Sequence, residues 1–225
     1  MTILHYIYDP LCGWCYGAAP LLRAARQVVT VLAHGGGMMT GDNRQRLTPQ
    51  LRAYIQQHDA RIAQMTGQRF GQAYNDGLLH DREAVLDSEP PTAAMLAAEA
   101  IGGRGLDMLA QLQTAHYVEG RRIAERSTLI AVATEIGLDA ATFTEAFDSH
   151  LGAAVQRHIQ DTRRLMARVG ARGFPSFVLE TDGAMQSVDF GAYLGNPDAF
   201  VGWLSGQKGV AGSAELVCDI NGCRT

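Results

Sequence analysis

Charge is scarce in this sequence and nowhere concentrated. Charged residues make up 19% of the 225 positions, with 19 lysines and arginines against 23 acidic residues and a net charge of −4. Basic residues gather only in pairs such as Arg121-Arg122 and Arg163-Arg164, which read as solvated helix faces. A nucleic-acid binder needs a basic stripe or patch to neutralise phosphates, so that class of partner is excluded. No stretch approaches the roughly 18 consecutive apolar residues that cross a bilayer, and no membrane partner is expected. The apolar start, Thr2–Tyr8, is too short for the core of a secretory leader and follows no charged residue, so the expected location is cytoplasmic. Internal repeats are missing, as is the Lys-Ser/Thr that would turn Gly35-Gly36-Gly37 into a phosphate loop. None of the seven histidines shows His-x-x-x-His or His-Glu-x-x-His spacing. They are expected mostly on the surface or on helices, and neither a metal nor a cofactor is expected.

Cysteine is rare, and its four copies stand as two close pairs, Cys12/Cys15 and Cys218/Cys223. In a reducing compartment such pairs point to redox work or metal binding rather than to static staples. Hydrophobic residues at 47% permit a packed core, in one large domain or two small ones.

The patterning gives an order of elements. Residues 3–8 read as a buried strand of aromatic and β-branched residues closed by Asp9-Pro10. A helix follows the first cysteine pair, with Leu21, Leu22 and Ala25 at helical spacing up to Gln27. Val28 to Leu32 reads as a second strand, and Gly35-Gly36-Gly37 as a turn with unusual backbone angles. Leu51, Tyr54, Ile55 and Ile62 mark a helix, and Pro90-Pro91-Thr92 opens another that stops at Gly102-Gly103. Leu106, Leu109, Leu112 and Tyr117 mark a third. Ser127 is expected to cap a short helix that ends at Gly137. Phe143, Phe147, Leu151, Val155 and Ile159 recur every four residues, which predicts one long helix continuing to Gly170. Ser176 to Leu179 and Met185 to Phe190 form a hairpin around Thr181-Asp182-Gly183. Asn196-Pro197 starts a last helix, and Gly206 to Ser213 is a Gly-rich linker. The order β-α-β, helical block, β-β-α is an α/β core interrupted by about 120 residues of helix, because neither end alone completes a sheet.

Cys12-Gly13-Trp14-Cys15 sits between the first strand and its helix. Two intervening residues keep both sulfurs within bonding distance across one helical turn. The first then lies at the helix N-terminus, where unpaired N–H groups and the dipole favour negative charge. The second falls one turn inside and is shielded. One sulfur that attacks and one that resolves is what disulfide exchange requires. Asp9 reads as a turn former before Pro10, and Trp14 as an exposed surface for a substrate.

Tyr8-Asp9-Pro10-Leu11-Cys12-Gly13-Trp14-Cys15-Tyr16 resembles the DsbA family, in particular its FrnE-like branch, and Arg172-Gly173-Phe174-Pro175-Ser176-Phe177 is similar to that family's loop before the third core strand. The resemblance spans residues 1–207 and implies a thioredoxin-like fold with a large inserted all-helical subdomain. Its core would be about residues 1–45 and 171–207, its insertion about 46–170, with 208–225 a linker and tail. It implies a thiol–disulfide oxidoreductase, acting as oxidase, reductase or isomerase on protein or small-molecule thiols and disulfides. Cys12 would be the nucleophile and Cys15 the resolving thiol. Pro175 would be cis, facing the cysteines and holding the Phe174 backbone where it and Trp14 meet substrate. Some relatives carry a tail like Cys218-x4-Cys223, which would be an auxiliary redox pair. Many relatives bury a carboxylate six positions before the first cysteine, where this chain has Tyr6. Three readings compete: a four-thiolate zinc module built from both pairs, a glutathione-dependent isomerase or transferase on the same scaffold, and a binding module that kept only the fold. Hydroxychromene-carboxylate isomerases generally carry Ser where Cys12 stands, which argues against the second.

Overall fold

Strand β1 (Thr2–Tyr8) is buried along nearly its whole length because it is central in the sheet. In a computed structural model of the chain, which describes residues 2–207 and 209–210 and the backbone of 217–219 and 222–224, β1 pairs in parallel with β2 (Thr30–Gly35) and antiparallel with β5 (Ser176–Thr181). β5 pairs antiparallel with β6 (Ala184–Val188), giving the order β2-β1-β5-β6. Side chains alternate across a strand. Leu4, Tyr6 and Tyr8 accordingly enter the main core, while Ile7 packs with Leu165 and Val178 on the opposite face.

The first helix comes in two pieces, α1 (Gly13–Gly17) and α2 (Ala19–Ala25). Pro20 has no N–H to give the carbonyl of Tyr16 four residues back. The Gln68 side-chain amide supplies the missing donor at 2.8 Å. β2 begins two residues later than the apolar run suggests, because Val28 and Val29 still donate to Ala25 at the helix end.

The inserted block holds α3 (Pro49–Thr66), α4 (Glu89–Gly102), α5 (Gly105–Tyr117) and α6 (Arg126–Glu135), then α7 (Ala140–His150) and α8 (Ala153–Val169). It is helical but for a short ribbon of β3 (Gln45–Arg46) and β4 (Val85–Leu86). The single helix expected from Phe143 to Gly170 is thus two. Gly152 adopts φ 67, ψ −117, which side chains other than hydrogen do not tolerate, and the chain turns there. The four-residue apolar period runs unbroken across that turn, so periodicity could not reveal it. Ser127 lies inside α6 rather than capping it: Glu125 holds the cap position, and Arg126 opens the helix in a paired contact with Asp148 of α7. α9 (Pro197–Ser205) closes the core beside α2, with Asn196 accepting from the Ala199 amide at its start.

The glycine run after β2 has two separate causes. Only Gly37 has a positive φ, at 61°. Gly36 is glycine for space, since a Cβ there would overlap the Phe174 ring.

Five of the seven histidines lie on helices, as expected, while His5 and His34 sit on strands of the central sheet. His5 Nδ1 lies 3.0 Å from His34 Nε2, and His5 Nε2 lies 2.8 Å from Glu180, which links β2, β1 and β5. His158 on α8 accepts the Gly35 amide at 2.9 Å, so its Nε2 is unprotonated. Burial pushes His158 down, and pushes His34 to about 4. His116 is buried as well, and also falls to about 4 for that reason.

β7 (Val217–Asp219) and β8 (Gly222–Arg224) pair antiparallel with Cys218 opposite Cys223 in register. The two cysteine side chains, and most of the Gly-rich linker, lie outside the described residues. No described helix is long and apolar enough to cross a membrane.

Candidate active site

The turn from β1 into α1 is built by Asp9-Pro10-Leu11-Cys12. Pro10 presets the backbone, the Cys12 amide donates to the Asp9 carbonyl at 3.1 Å, and the Leu11 amide donates to Asp9 Oδ1 at 2.9 Å. Cys12 then occupies the N-cap of α1, its carbonyl accepting from the Cys15 and Tyr16 amides at 3.0 and 3.1 Å. Both cysteines are free thiols, with Cys12 6% exposed and Cys15 fully buried.

The Phe174–Pro175 peptide bond is cis. The Cys12 thiol donates to the Phe174 carbonyl at 3.4 Å, so two motifs from opposite ends of the chain meet at one sulfur. The Phe174 ring lies on Gly36 and anchors that loop to the turn after β2. Arg163 of α8 ties the same turn from the other side, donating to the Gly36 and Gly37 carbonyls at 3.2 and 2.7 Å.

Asp9 forms the expected turn, and it is also fully buried. Beyond Leu11, its carboxylate accepts from the Ser88 hydroxyl at 2.8 Å and the Met38 amide at 2.6 Å, while its own amide points to Cys15 Sγ at 3.5 Å. Burial raises the Asp9 carboxyl, and the three hydrogen bonds and the Arg163 charge work against that rise. Burial likewise pushes the Cys15 thiol well above its ordinary range, reinforced by its hydrogen bond with Cys12 and by the charge of Asp9. Tyr6, where many relatives carry a carboxylate, is buried with its hydroxyl 3.3 Å from the Cys15 carbonyl.

A cavity of about 450 Å³ opens beside Cys12, between α1 and the inserted helices. Trp14 is half-buried in its wall, with the Arg61 guanidinium 5.8 Å from the ring centroid. Asp59 of α3 lies against Gly13, close enough that a Cβ there would sit 3.1 Å from Oδ1. Asp59 accepts from the Tyr74 hydroxyl at 2.9 Å, and burial lifts its carboxyl from 3.8 to about 7. Sequence reasoning passed over this acid. It stands on the stripe marked by Ile55 and Ile62, at helical spacing from both, and an acid on an apolar stripe was the available signal.

A cysteine pair at a strand-to-helix junction, facing a cis proline in a thioredoxin-like fold, defines a thiol–disulfide oxidoreductase. The model of the DSBA-like thioredoxin domain matches residues 3–198, and the chain belongs to that family. The cytosolic disulfide reductase DsbM from Pseudomonas aeruginosa is 57% identical, with 90% of this chain and 96% of that chain covered and a TM-score of 0.85. A structure of DsbM from the same organism with GSH is 55% identical over the same shares, with a TM-score of 0.84. A 2-hydroxychromene-2-carboxylate isomerase, at 15% identity over 90% of this chain and 95% of that chain, has a TM-score of 0.57 and shares the fold alone. Among curated protein sequences no match was found. The matches reach the family and not the FrnE-like branch within it.

Two predictions follow from the buried acids. Replacing Asp9 with Ala strands the Leu11 and Met38 amides and the Ser88 hydroxyl. At about 1–3 kcal/mol for each unsatisfied donor, urea unfolding should show a loss of at least ~3 kcal/mol, with Ser88→Ala milder. For Asp59 the sign runs the other way. Its folded carboxyl holds a proton that the unfolded chain has already lost between 3.8 and about 7, so ionisation penalises the fold progressively through that window and fully above it. Asp59→Asn should therefore gain stability over the parent as pH rises across the window and hold that gain above it, in urea midpoints taken at both ends.

Proposed function

We propose that the protein is a disulfide reductase, cytoplasmic in location, in which Cys12 attacks and Cys15 resolves. The observation that carries this reading is the Cys12 sulfur at the N-cap of α1, 3.4 Å from the carbonyl that precedes cis Pro175, with Cys15 shielded one turn below. The Cys12 thiolate attacks one sulfur of the substrate disulfide. A Cys12–substrate disulfide forms, and the other substrate sulfur leaves as thiolate and takes a proton. Cys15 then loses its proton and attacks Cys12, releasing the second thiol and leaving Cys12–Cys15 oxidised. Each turnover moves two electrons to substrate.

The reductive direction is supported by the name of the 57% identical DsbM, and glutathione as the electron source by the GSH in the second DsbM structure. Trp14, Phe174 and Pro175 are proposed as the substrate contacts. Once Cys12 gives up its proton, the Phe174 segment offers a backbone edge to an extended substrate. The raised Cys15 thiol suits a resolving group that stays protonated until the mixed disulfide exists.

Insulin reduction driven by dithiothreitol tests the roles. Cys12→Ser should fall to the uncatalysed background. Cys15→Ser should instead accumulate mixed disulfides on Cys12, visible by mass spectrometry. Undiminished turnover in Cys12→Ser would sink the assignment.

A further inference from the structure

We propose that Asp59, an acid carried by the inserted helices, is the proton donor to the sulfur that leaves when Cys12 attacks a substrate disulfide. The inference rests on the oxidoreductase reading and adds a residue to that same site.

Place is the first argument. Asp59 of α3 lines the same cavity as Cys12 and Gly13. A Cβ on Gly13 would come within 3.1 Å of Asp59 Oδ1, so that oxygen lies against the residue that follows the attacking sulfur. The second is a free oxygen. The Tyr74 hydroxyl donates to Oδ2 at 2.9 Å, while no described residue hydrogen-bonds Oδ1. The Tyr117 hydroxyl and His116 Nδ1 nearby are fully enclosed without partners, whereas Oδ1 keeps an accessible face. The third is charge. The groups around Asp59 are Cys12, Tyr74, His116 and Tyr117 in the cavity wall and Arg69 on its other side. On α3 itself His58 and Arg61 are its neighbours, and Arg61 lies over the Trp14 ring. None of these cations pairs with Asp59 among the described residues. Burial therefore prevails, its carboxyl reaches about 7, and it holds a proton to give near neutral pH. The fourth is cost. Asparagine would have the same shape and still accept from Tyr74, without the penalty that ionisation brings. An acid kept at a cost in stability beside reacting atoms fits a functional role.

The protons balance. Cys12–S⁻ attacks R–S–S–R′, the Cys12–S–S–R bond forms and R′–S⁻ leaves. The Asp59 proton, passed directly or over one water, converts it to R′–SH. Cys15 then attacks Cys12, and its own proton leaves on the second half as R–SH. The products are Cys12–S–S–Cys15, two thiols and an Asp59 carboxylate. That carboxylate takes a proton back from the reducing thiol when the pair is reduced again.

The test follows the loss of the pre-reduced full chain, by mass after acid quenching, with two uncharged disulfides. Hydroxyethyl disulfide releases a basic alkyl thiolate, and di(para-nitrophenyl) disulfide releases a thiolate that needs no proton. A thiol of lower pKa leaves faster unaided. Both reactions share the Cys12 thiolate, so the ratio of their rates isolates the supply of the proton. In the parent the alkyl-to-aryl ratio should fall by about tenfold as pH rises through about 7, less than most general acids give because a thiolate leaves unaided more readily than an alkoxide. Asp59→Asn should hold the parent's high-pH ratio at every pH. Tyr74→Phe removes a hydrogen bond that favours the carboxylate, so its fall should move to higher pH. A merely structural Asp59 would produce neither change. The proposal is overturned by a parent ratio independent of pH, or by an Asp59→Asn ratio as high as the parent's at low pH. A fall that persists in Asp59→Asn belongs to His58 or another neighbour and overturns it equally. Loss of reduced Cys12→Ser at the parent's rate would instead overturn the oxidoreductase reading, so the two failures are distinguishable.

Discussion

A carboxylate taken out of water must be surrounded by donors, and Asp9 collects them from three places far apart in the chain. Leu11 belongs to the cysteine turn, Met38 to the turn after β2 and Ser88 to the start of α4. The Ser88 hydroxyl also donates to the Asp9 oxygen that Leu11 uses, while the Ser88 amide donates to the Met39 carbonyl. One side chain thereby fixes how the inserted helices, the glycine turn and the redox motif sit together. Arg163 completes the arrangement by holding the glycine turn from α8 and by placing its positive charge where it favours the ionised Asp9.

The two thiols inherit their difference from this frame. Cys12 meets the Phe174 carbonyl and the cavity mouth, whereas Cys15 is enclosed with the Asp9 amide on its sulfur. Burial and the nearby carboxylate both work against an anion on Cys15. The proposed reductase uses that difference, with Cys12 meeting incoming disulfides and Cys15 held back until a mixed disulfide brings it into play.

Much of this was legible in the amino-acid order. Strand β1, the cysteine turn and the hairpin β5-β6 announced themselves through local rules, namely a run of aromatic and β-branched residues, Asp-Pro and Asp-Gly, while the cis proline was implied by the family resemblance of the Gly-Phe-Pro loop. What was missed depends on the third dimension. The stripe that continues across Gly152 hides a turn, because buried positions on either side keep the same spacing. Tyr54 marked the apolar face of α3 yet is 60% exposed, while Asp59, one turn on from Ile55, is buried. Asp9 looked like a turn residue because it is one. Its burial follows from Met38 and Ser88, which no local pattern connects to it. The histidine chain His5–His34 and the His158–Gly35 bond are likewise products of strand pairing and helix packing, invisible to motif spacing.

The most direct measurement is the equilibrium of the Cys12–Cys15 pair in glutathione redox buffers, followed by mass after acid quenching and thiol alkylation. A strong oxidant owes its potential to a stabilised reduced form, and the enclosure of Cys15 beside Asp9 offers that form no such charge stabilisation. The account predicts one two-electron transition in which Cys12 and Cys15 change together, lying nearer the about −270 mV of thioredoxin than the about −120 mV of a strong oxidant. A pair that stays reduced across the whole series, or a transition at the oxidising end, would contradict it.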